Sequence, residues 1–129
     1  MVNKDNLADM LNHIVNCKRV GKFTCNFSPA NKLMLDLLEV MSKKGYIKEF
    51  KVSKEVKGNE LEIMIGNLNY CKAIKPRFNV KSDGHDKFVR RFLPSRNLGI
   101  LIVSTSKGLI THDEAIERRL GGKLIAFCY

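Results

Sequence analysis

Ser104, Thr105, Ser106, Lys107 and Gly108 follow without a break on the apolar run Ile100-Leu101-Ile102-Val103. Three short hydroxyls, one ammonium and a glycine on a rigid strand end supply many hydrogen-bonding groups but no strong acid or base. That is chemistry for reading another molecule's surface. Small hydroxyls can approach the shallow minor groove of an RNA helix and bond 2′-OH groups and base edges, where longer side chains clash. Lys107 can neutralise a phosphate, and Gly108 permits a sharp turn with close approach. The segment is expected to lead from a strand into a helix. Thr111, with Glu114 three positions on, already supplies that helix with a cap. Ser104, Thr105 and Ser106 are therefore surplus to folding.

Other side chains give weaker signals. Arg77-Phe78 sets a guanidinium beside an aromatic ring, a pair that could hold phosphate and stack on a base. Phe78 as core with Arg77 solvated at an edge explains it equally well. Lys87, Arg90, Arg91 and Arg96 form a basic run of the kind that often only faces solvent. Arg118-Arg119 suits a helix C-terminus, where cations meet the dipole.

Catalysis finds little support. In Thr111-His112-Asp113-Glu114 the cap accounts for two residues, and His112 and Asp113 are expected in the first helical turn, pointing outward. There is no Gly-x-Ser-x-Gly, phosphate-cradling loop, dinucleotide fingerprint or His-Glu-x-x-His. No catalytic residue and no cofactor are assigned. The cysteines (Cys17, Cys25, Cys71, Cys128) contain no Cys-x-x-Cys, and His13, His85 and His112 do not join them in a zinc-site pattern. No metal site is expected, and the thiols read as reduced, small apolar residues.

The charge says what kind of surface is read. The 129 residues carry 23 Lys+Arg against 13 Asp+Glu, a net charge of +10. Such a balance favours nucleic acid or an anionic membrane surface. A hydrophobic content of 44% is enough for a core, which excludes a disordered basic tail. No apolar run reaches the roughly 18 residues of a membrane span. Met1-Val2-Asn3-Lys4-Asp5 lacks the apolar core of a signal peptide, so a soluble, cytoplasmic protein without a membrane role is expected.

Several elements must hold these residues. Leu7, Met10, Leu11, Ile14 and Val15 repeat at helical spacing up to Gly21, leaving Asn12, His13, Asn16 and Lys18 on a polar face whose simplest reading is solvation. A strand over Phe23 to Phe27 follows. Ser28-Pro29 opens a second helix with Leu33, Met34, Leu37, Leu38 and Met41 buried, ended by Gly45. Strands over Tyr46 to Ser53 and Glu60 to Ile65 join at Lys57-Gly58-Asn59. Beyond Gly66 come a strand near Cys71 to Ile74 and a bend or sheet edge at Pro76. A basic helix over His85 to Phe92, the strand into Ser104, the helix capped by Thr111 and ended by Gly121-Gly122, and a last apolar strand complete the chain. The fold class is α+β, in two lobes over residues 1–66 and 67–129. Residues 1–66 hold 11 basic and 8 acidic side chains and residues 67–129 hold 12 and 5, which weights the polyanion-facing surface toward the second lobe.

Val103-Ser104-Thr105-Ser106-Lys107-Gly108-Leu109-Ile110, then Glu114-Ala115 and Gly121-Gly122-Lys123, closely resembles the C-terminal motif of the family of small-subunit ribosomal protein number eight. Leu7-Ala8-Asp9-Met10-Leu11 and Lys44-Gly45-Tyr46-Ile47 fit as well, and the match spans the chain. Lys75-Pro76-Arg77-Phe78-Asn79-Val80 and Leu93-Pro94-Ser95-Arg96 look like the archaeal and eukaryotic branch. Bacterial relatives carry an acidic residue where this chain has Lys123, and a Pro-Gly-x-Arg-x-Tyr stretch at the Pro-Arg-Phe segment, so those contacts do not transfer.

The resemblance implies two α+β lobes in tight contact and a primary rRNA-binding role in the small subunit. It implies an irregular helix at an internal loop of the rRNA central domain as target, with neighbouring ribosomal proteins docking later. Ser104, Thr105, Ser106 and Gly108 fall on the family's RNA-reading motif. By analogy Asn12 and Asn16 on the first helix, with Asn31 and Lys32 at the start of the second, hold the RNA backbone. Relatives also bind their own messenger RNA, a role the resemblance leaves open.

Overall fold

Helical spacing of apolar residues builds the N-terminal half. In the computed structural model, which describes residues 6–27, 32–53, 60–75, 77–95 and 98–129, α1 (Asn6–Arg19) buries Leu7, Met10, Leu11, Ile14 and Cys17 and exposes Asn12 and Asn16. Gly21 (φ 83) closes it: the Lys22 amide donates to the Cys17 carbonyl (2.8 Å) and the Gly21 amide to that of Lys18 (3.0 Å). This paired bond satisfies the carbonyls a helix end leaves open. After β1 (Thr24–Phe27), α2 (Lys32–Lys43) buries Met34, Leu37, Leu38 and Met41 and closes in the same way, Tyr46 donating to Met41 (3.0 Å) across Gly45. Then come β2 (Ile47–Ser53) and β3 (Glu60–Ile65), forming an antiparallel sheet in the order β1-β3-β2. Leu61, Ile63 and Ile65 are buried and Glu62 is exposed, the alternation of a sheet with one covered face. The expected Ser28-Pro29 cap and the Lys57-Gly58-Asn59 turn lie outside the described residues.

The chain divides into two compact units, Met1–Asn69 and Tyr70–Tyr129. The second contains β4 (Cys71–Ala73), β5 (Asn79–Val80), α3 (His85–Phe92), β6 (Ile100–Thr105), β7 (Gly108–Thr111), α4 (His112–Glu117) and β8 (Gly122–Cys128). Its antiparallel sheet runs β4-β8-β6-β7, with β5 also pairing with β8. Leu124 to Cys128 are buried without alternation, as an inner strand covered on both faces requires. Leu101, Val103, Leu124 and Phe127 of the sheet pack with Phe88, Val89 and Leu93 from the α3 side. Helices and antiparallel sheets together make an α+β fold.

Three expectations change. Ser104 to Gly108 does not lead from strand to helix: β6 turns directly into β7, and the segment is the tip of a β-hairpin. Nor does Gly121-Gly122 end the last helix, which stops at Glu117 with Arg119 in the left-handed region (φ 56). There the Leu120 amide donates to Ala115 (2.8 Å) and that of Arg119 to Ile116 (3.2 Å). This is the closure seen after α1 and α2, with arginine in the place glycine holds there.

The third change concerns His112, which is buried rather than outward, at 2% exposure. Its Nδ1 accepts the Leu101 amide hydrogen (3.1 Å), so the ring proton sits on Nε2, 3.3 Å from Asp113 Oδ1. With Thr111 Oγ1 accepting from the Glu114 amide (3.3 Å), this bond ties the start of α4 to β6. Burial lowers the His112 pKa below 6.5; the Asp113 carboxylate opposes the shift and nearby His85 adds to it. The unfolded chain therefore takes up this proton first as pH falls. The stability that neutral His112 contributes is complete above 6.5 and lost through the lower folded-state value. Urea melts from neutral pH down to about 5, above the carboxylate range, are expected to show falling stability in wild type and a flatter profile in His112→Gln. Equal slopes would remove His112 as the source.

Candidate nucleic-acid interface

A buried strand and a one-sided hydrogen-bond set fix the shape of the hairpin tip. Leu101, Ile102 and Val103 are fully buried, so β6 leaves the core as a firm stem. Thr105 pairs with Gly108, and Ser106 and Lys107 form the turn. The Thr105 hydroxyl donates to the Gly108 carbonyl (3.0 Å) and accepts from the Lys107 amide (3.1 Å). Thr105 therefore fastens the turn. Gly108 takes φ 100, a conformation that L side chains rarely adopt, and provides the positive dihedral that a short hairpin needs. Ser106 and Lys107 are exposed, and neither side chain has a hydrogen-bond or ion-pair partner among the described residues. A fixed backbone presenting one open hydroxyl and one open ammonium is suited to a phosphate-bearing, hydroxyl-rich surface.

The sheet extends this polar surface. Asn79 pairs with Lys123, and Lys123 pairs on its other side with Ser104. Directly opposed residues share a face, so Asn79, Lys123 and Ser104 form one row running to the hairpin. Asn79 and Lys123 are exposed and Ser104 is half-buried. The row depends on Gly122: a Cβ there would run into the Ser104 carbonyl oxygen and meet Val103 Cγ1 at 3.1 Å. The glycine pair thus serves close strand approach. Sequence reasoning did not assign Asn79 or Lys123, because register is a long-range property. The only local hint is for Asn79, which lies in the alternating run Arg77-Phe78-Asn79-Val80-Lys81; Lys123 precedes a continuous apolar run.

The remaining predicted residues fall elsewhere. Arg77 is exposed, whereas Phe78 is half-buried against the core of the second unit. The Phe78 ring lies 5.6 Å from that of Phe88 and carries the Arg91 guanidinium at 4.9 Å, while its carbonyl accepts from the Leu124 amide (2.9 Å). Arg91, not Arg77, is the cation over this ring, which favours Phe78 as an edge-of-core residue. Asn12 and Asn16, four apart, point out from one face of α1, and Lys32 is exposed at the first turn of α2. Asn31, Pro76 and Arg96 lie outside the described residues. Ser104 to Gly108 are thus gathered at one tip with Lys123 and Asn79 beside them, while Asn12, Asn16 and Lys32 belong to the first unit.

The acid–base candidates are engaged structurally. His112 holds α4 to β6, and His85, 1% exposed, has Nε2 at 3.0 Å from the Leu120 carbonyl. All four cysteines are free and buried. Burial, with Cys71 alongside, pushes the Cys128 thiol up, and burial with Cys17 alongside pushes the Cys25 thiol up to about 12. One grouping was not foreseen: His13, Cys17 and Cys25 lie together between α1 and β1.

A basic α+β chain with an open hydroxyl and an open ammonium at an exposed hairpin, and with His85 and His112 buried in the second unit, has the build of a nucleic-acid-binding protein. Residues 5–129 match the family model of ribosomal protein S8, and the chain belongs to that family. It is accordingly a structural protein of the small ribosomal subunit that binds small-subunit rRNA beside neighbouring ribosomal proteins. No described helix is long and apolar enough to cross a membrane.

Proposed function

We propose that this chain is a primary rRNA-binding protein that clamps an irregular helix at an internal loop in the central domain of small-subunit rRNA and so assists subunit assembly. The observation that carries the reading is the hairpin tip, where Thr105 fixes the turn and leaves Ser106 and Lys107 open. In this reading Ser104, Ser106 and the Gly108 backbone meet a distorted minor groove, with Thr105 as their organiser. Lys107, Arg77, Lys32, Asn31, Asn12 and Asn16 hold phosphates and sugars, and Phe78 anchors the segment before β5 that bears Arg77. The resemblance of Lys75-Pro76-Arg77-Phe78-Asn79-Val80 and Leu93-Pro94-Ser95-Arg96 to the archaeal and eukaryotic branch supports a target among rRNAs of that kind, with the cytoplasm as its place of work. Binding of its own messenger belongs to the same proposal, since an mRNA stem of similar shape would present the same groove.

Phosphate contacts and groove contacts separate by their response to salt. Ser106→Ala is expected to cost about 1–3 kcal/mol of binding to the central-domain stem with its salt slope unchanged. Lys107→Ala and Lys32→Ala are expected to lower that slope by about 1 each and to weaken all RNAs alike. Filter-binding titrations over a range of salt read both quantities. Wild-type affinity in Ser106→Ala would make the tip a structural turn.

A further inference from the structure

We infer that His13, Cys17 and Cys25 form a binding site for a thiophilic cation, zinc in the first place, that pins α1 to β1. The pattern is His-x3-Cys-x7-Cys. His13 and Cys17 are four apart on α1 and therefore neighbours on its surface, and Cys25 comes from β1, where it pairs with Ile63 of β3. The three ligand atoms lie within 4.8 Å of one another, with Cys17 Sγ 3.7 Å from His13 Nε2.

Those distances suit the ion. Bonds of ~2.3 Å to sulfur and ~2.0–2.1 Å to nitrogen at tetrahedral angles place ligand atoms about 3.5–3.8 Å apart. The His13–Cys17 pair is already at that separation, and the widest pair needs to close by only about an ångström, within the reach of small χ changes. The loop between the two cysteines is held by the bonds from Lys22 to Cys17 and from Gly21 to Lys18. Cys17 and Cys25 have 9% and 5% exposure, so the sulfurs sit in a dry pocket, while half-buried His13 leaves an entry path. The His13 ring is further held by the Phe27 ring, 6.1 Å away.

The donor set selects the metal class. Two thiolates and an imidazole suit zinc or monovalent copper and do not suit magnesium or calcium, which require oxygen. Binding displaces the thiol protons. Three protein ligands leave a fourth tetrahedral position for water. Two ligands come from α1 and one from β1, so the site's role is a staple between helix and strand. The staple would stiffen α1 where it presents Asn12 and Asn16.

Cobalt(II) titration of the reduced, chelator-stripped full chain tests this. The expected result is a thiolate-to-cobalt charge-transfer band with tetrahedral visible bands, saturating at one ion per chain and displaced by zinc. Cys25→Ser is expected to abolish the band. His13→Ala, at a half-buried position that leaves the core intact, should weaken binding by at least the ~10–100-fold that loss of a mere supporting group costs. Zinc should raise the unfolding temperature of wild type but not of His13→Ala. Cys71→Ser, in the second unit, should bind as wild type does. The proposal is overturned by absence of the charge-transfer band, by its loss in Cys71→Ser, by unchanged affinity in His13→Ala, or by a Cys17–Cys25 disulfide forming in place of the metal complex.

Discussion

Gly122→Ala is expected to destabilise the second unit by about 3 kcal/mol, the upper end of what overpacking costs, lowering its melting temperature on the order of 10 °C. The added methyl group would meet a backbone atom, the Ser104 carbonyl oxygen, and relief requires β6 and β8 to separate. The pairing already shifts register between Ile102 and Val103, so the strands would part where the hairpin leaves the core. Gly108→Ala is the informative comparison. A Cβ there meets nothing within 4 Å, and only the φ of 100 opposes it. Its expected cost is the smaller ~1–2 kcal/mol of a left-handed residue. Thermal melts of the two variants should rank Gly122→Ala as the more damaging. The reverse order would mean that the β6–β8 spacing is not what positions the tip.

Thr105→Val with Ser106→Ala is expected to remove about 3 kcal/mol of binding to the central-domain stem, near a hundredfold, with global stability lowered by no more than about 1–3 kcal/mol. The valine keeps the shape of Thr105 but loses both bonds of its hydroxyl, to the Gly108 carbonyl and from the Lys107 amide. Each such bond contributes about 0.5–1.5 kcal/mol, so the turn loosens while the buried stem of β6 holds the fold. The alanine removes the hydroxyl that faces outward. Affinity measured on the stem should drop, and affinity for a random duplex should stay near its original value. A parallel drop on both RNAs would mean that the pair acts through folding.

Local signals carried most of the helices. α1 and α2 have both the apolar spacing and a glycine in the closing position, and α3 begins and ends where its basic, apolar pattern does. β7 escaped because Gly108 to Thr111 is too short to show a period, and the Thr111–Glu114 cap drew the segment toward the helix behind it. The cap itself is present; the extra strand before it changes a strand-to-helix loop into a hairpin. α4 ends early for a related reason. Gly121-Gly122 is stronger punctuation than Arg119, but those glycines answer to Val80 and Ser104 on neighbouring strands, which no local pattern reveals. A place in a first turn predicts an outward His112, and tertiary packing on β6 reverses that.

The candidate site was legible in type more than in arrangement. The cluster of hydroxyls, lysine and glycine is plain in the chain, yet the difference between Thr105, which fastens the turn, and Ser106, which is left open, comes from hydrogen bonds. Arg77 and Phe78 are adjacent in sequence, but the ring is covered by Arg91 from α3. His13 and Cys17 form no zinc-site pattern in the chain, and the grouping becomes apparent only where β1 brings Cys25 against α1.

The central claim is that the hairpin adds specificity to the affinity that charge provides. One titration tests it most directly: the full chain against the small-subunit rRNA central-domain stem and against a scrambled duplex of equal length, at low and high salt. The expected result is a preference for the stem of several kcal/mol, on the order of the 4–10 that separate specific from non-specific binding, persisting as salt weakens both complexes. Equal affinity for the two RNAs, falling together with salt, would contradict it and leave the +10 charge as the whole of the interaction.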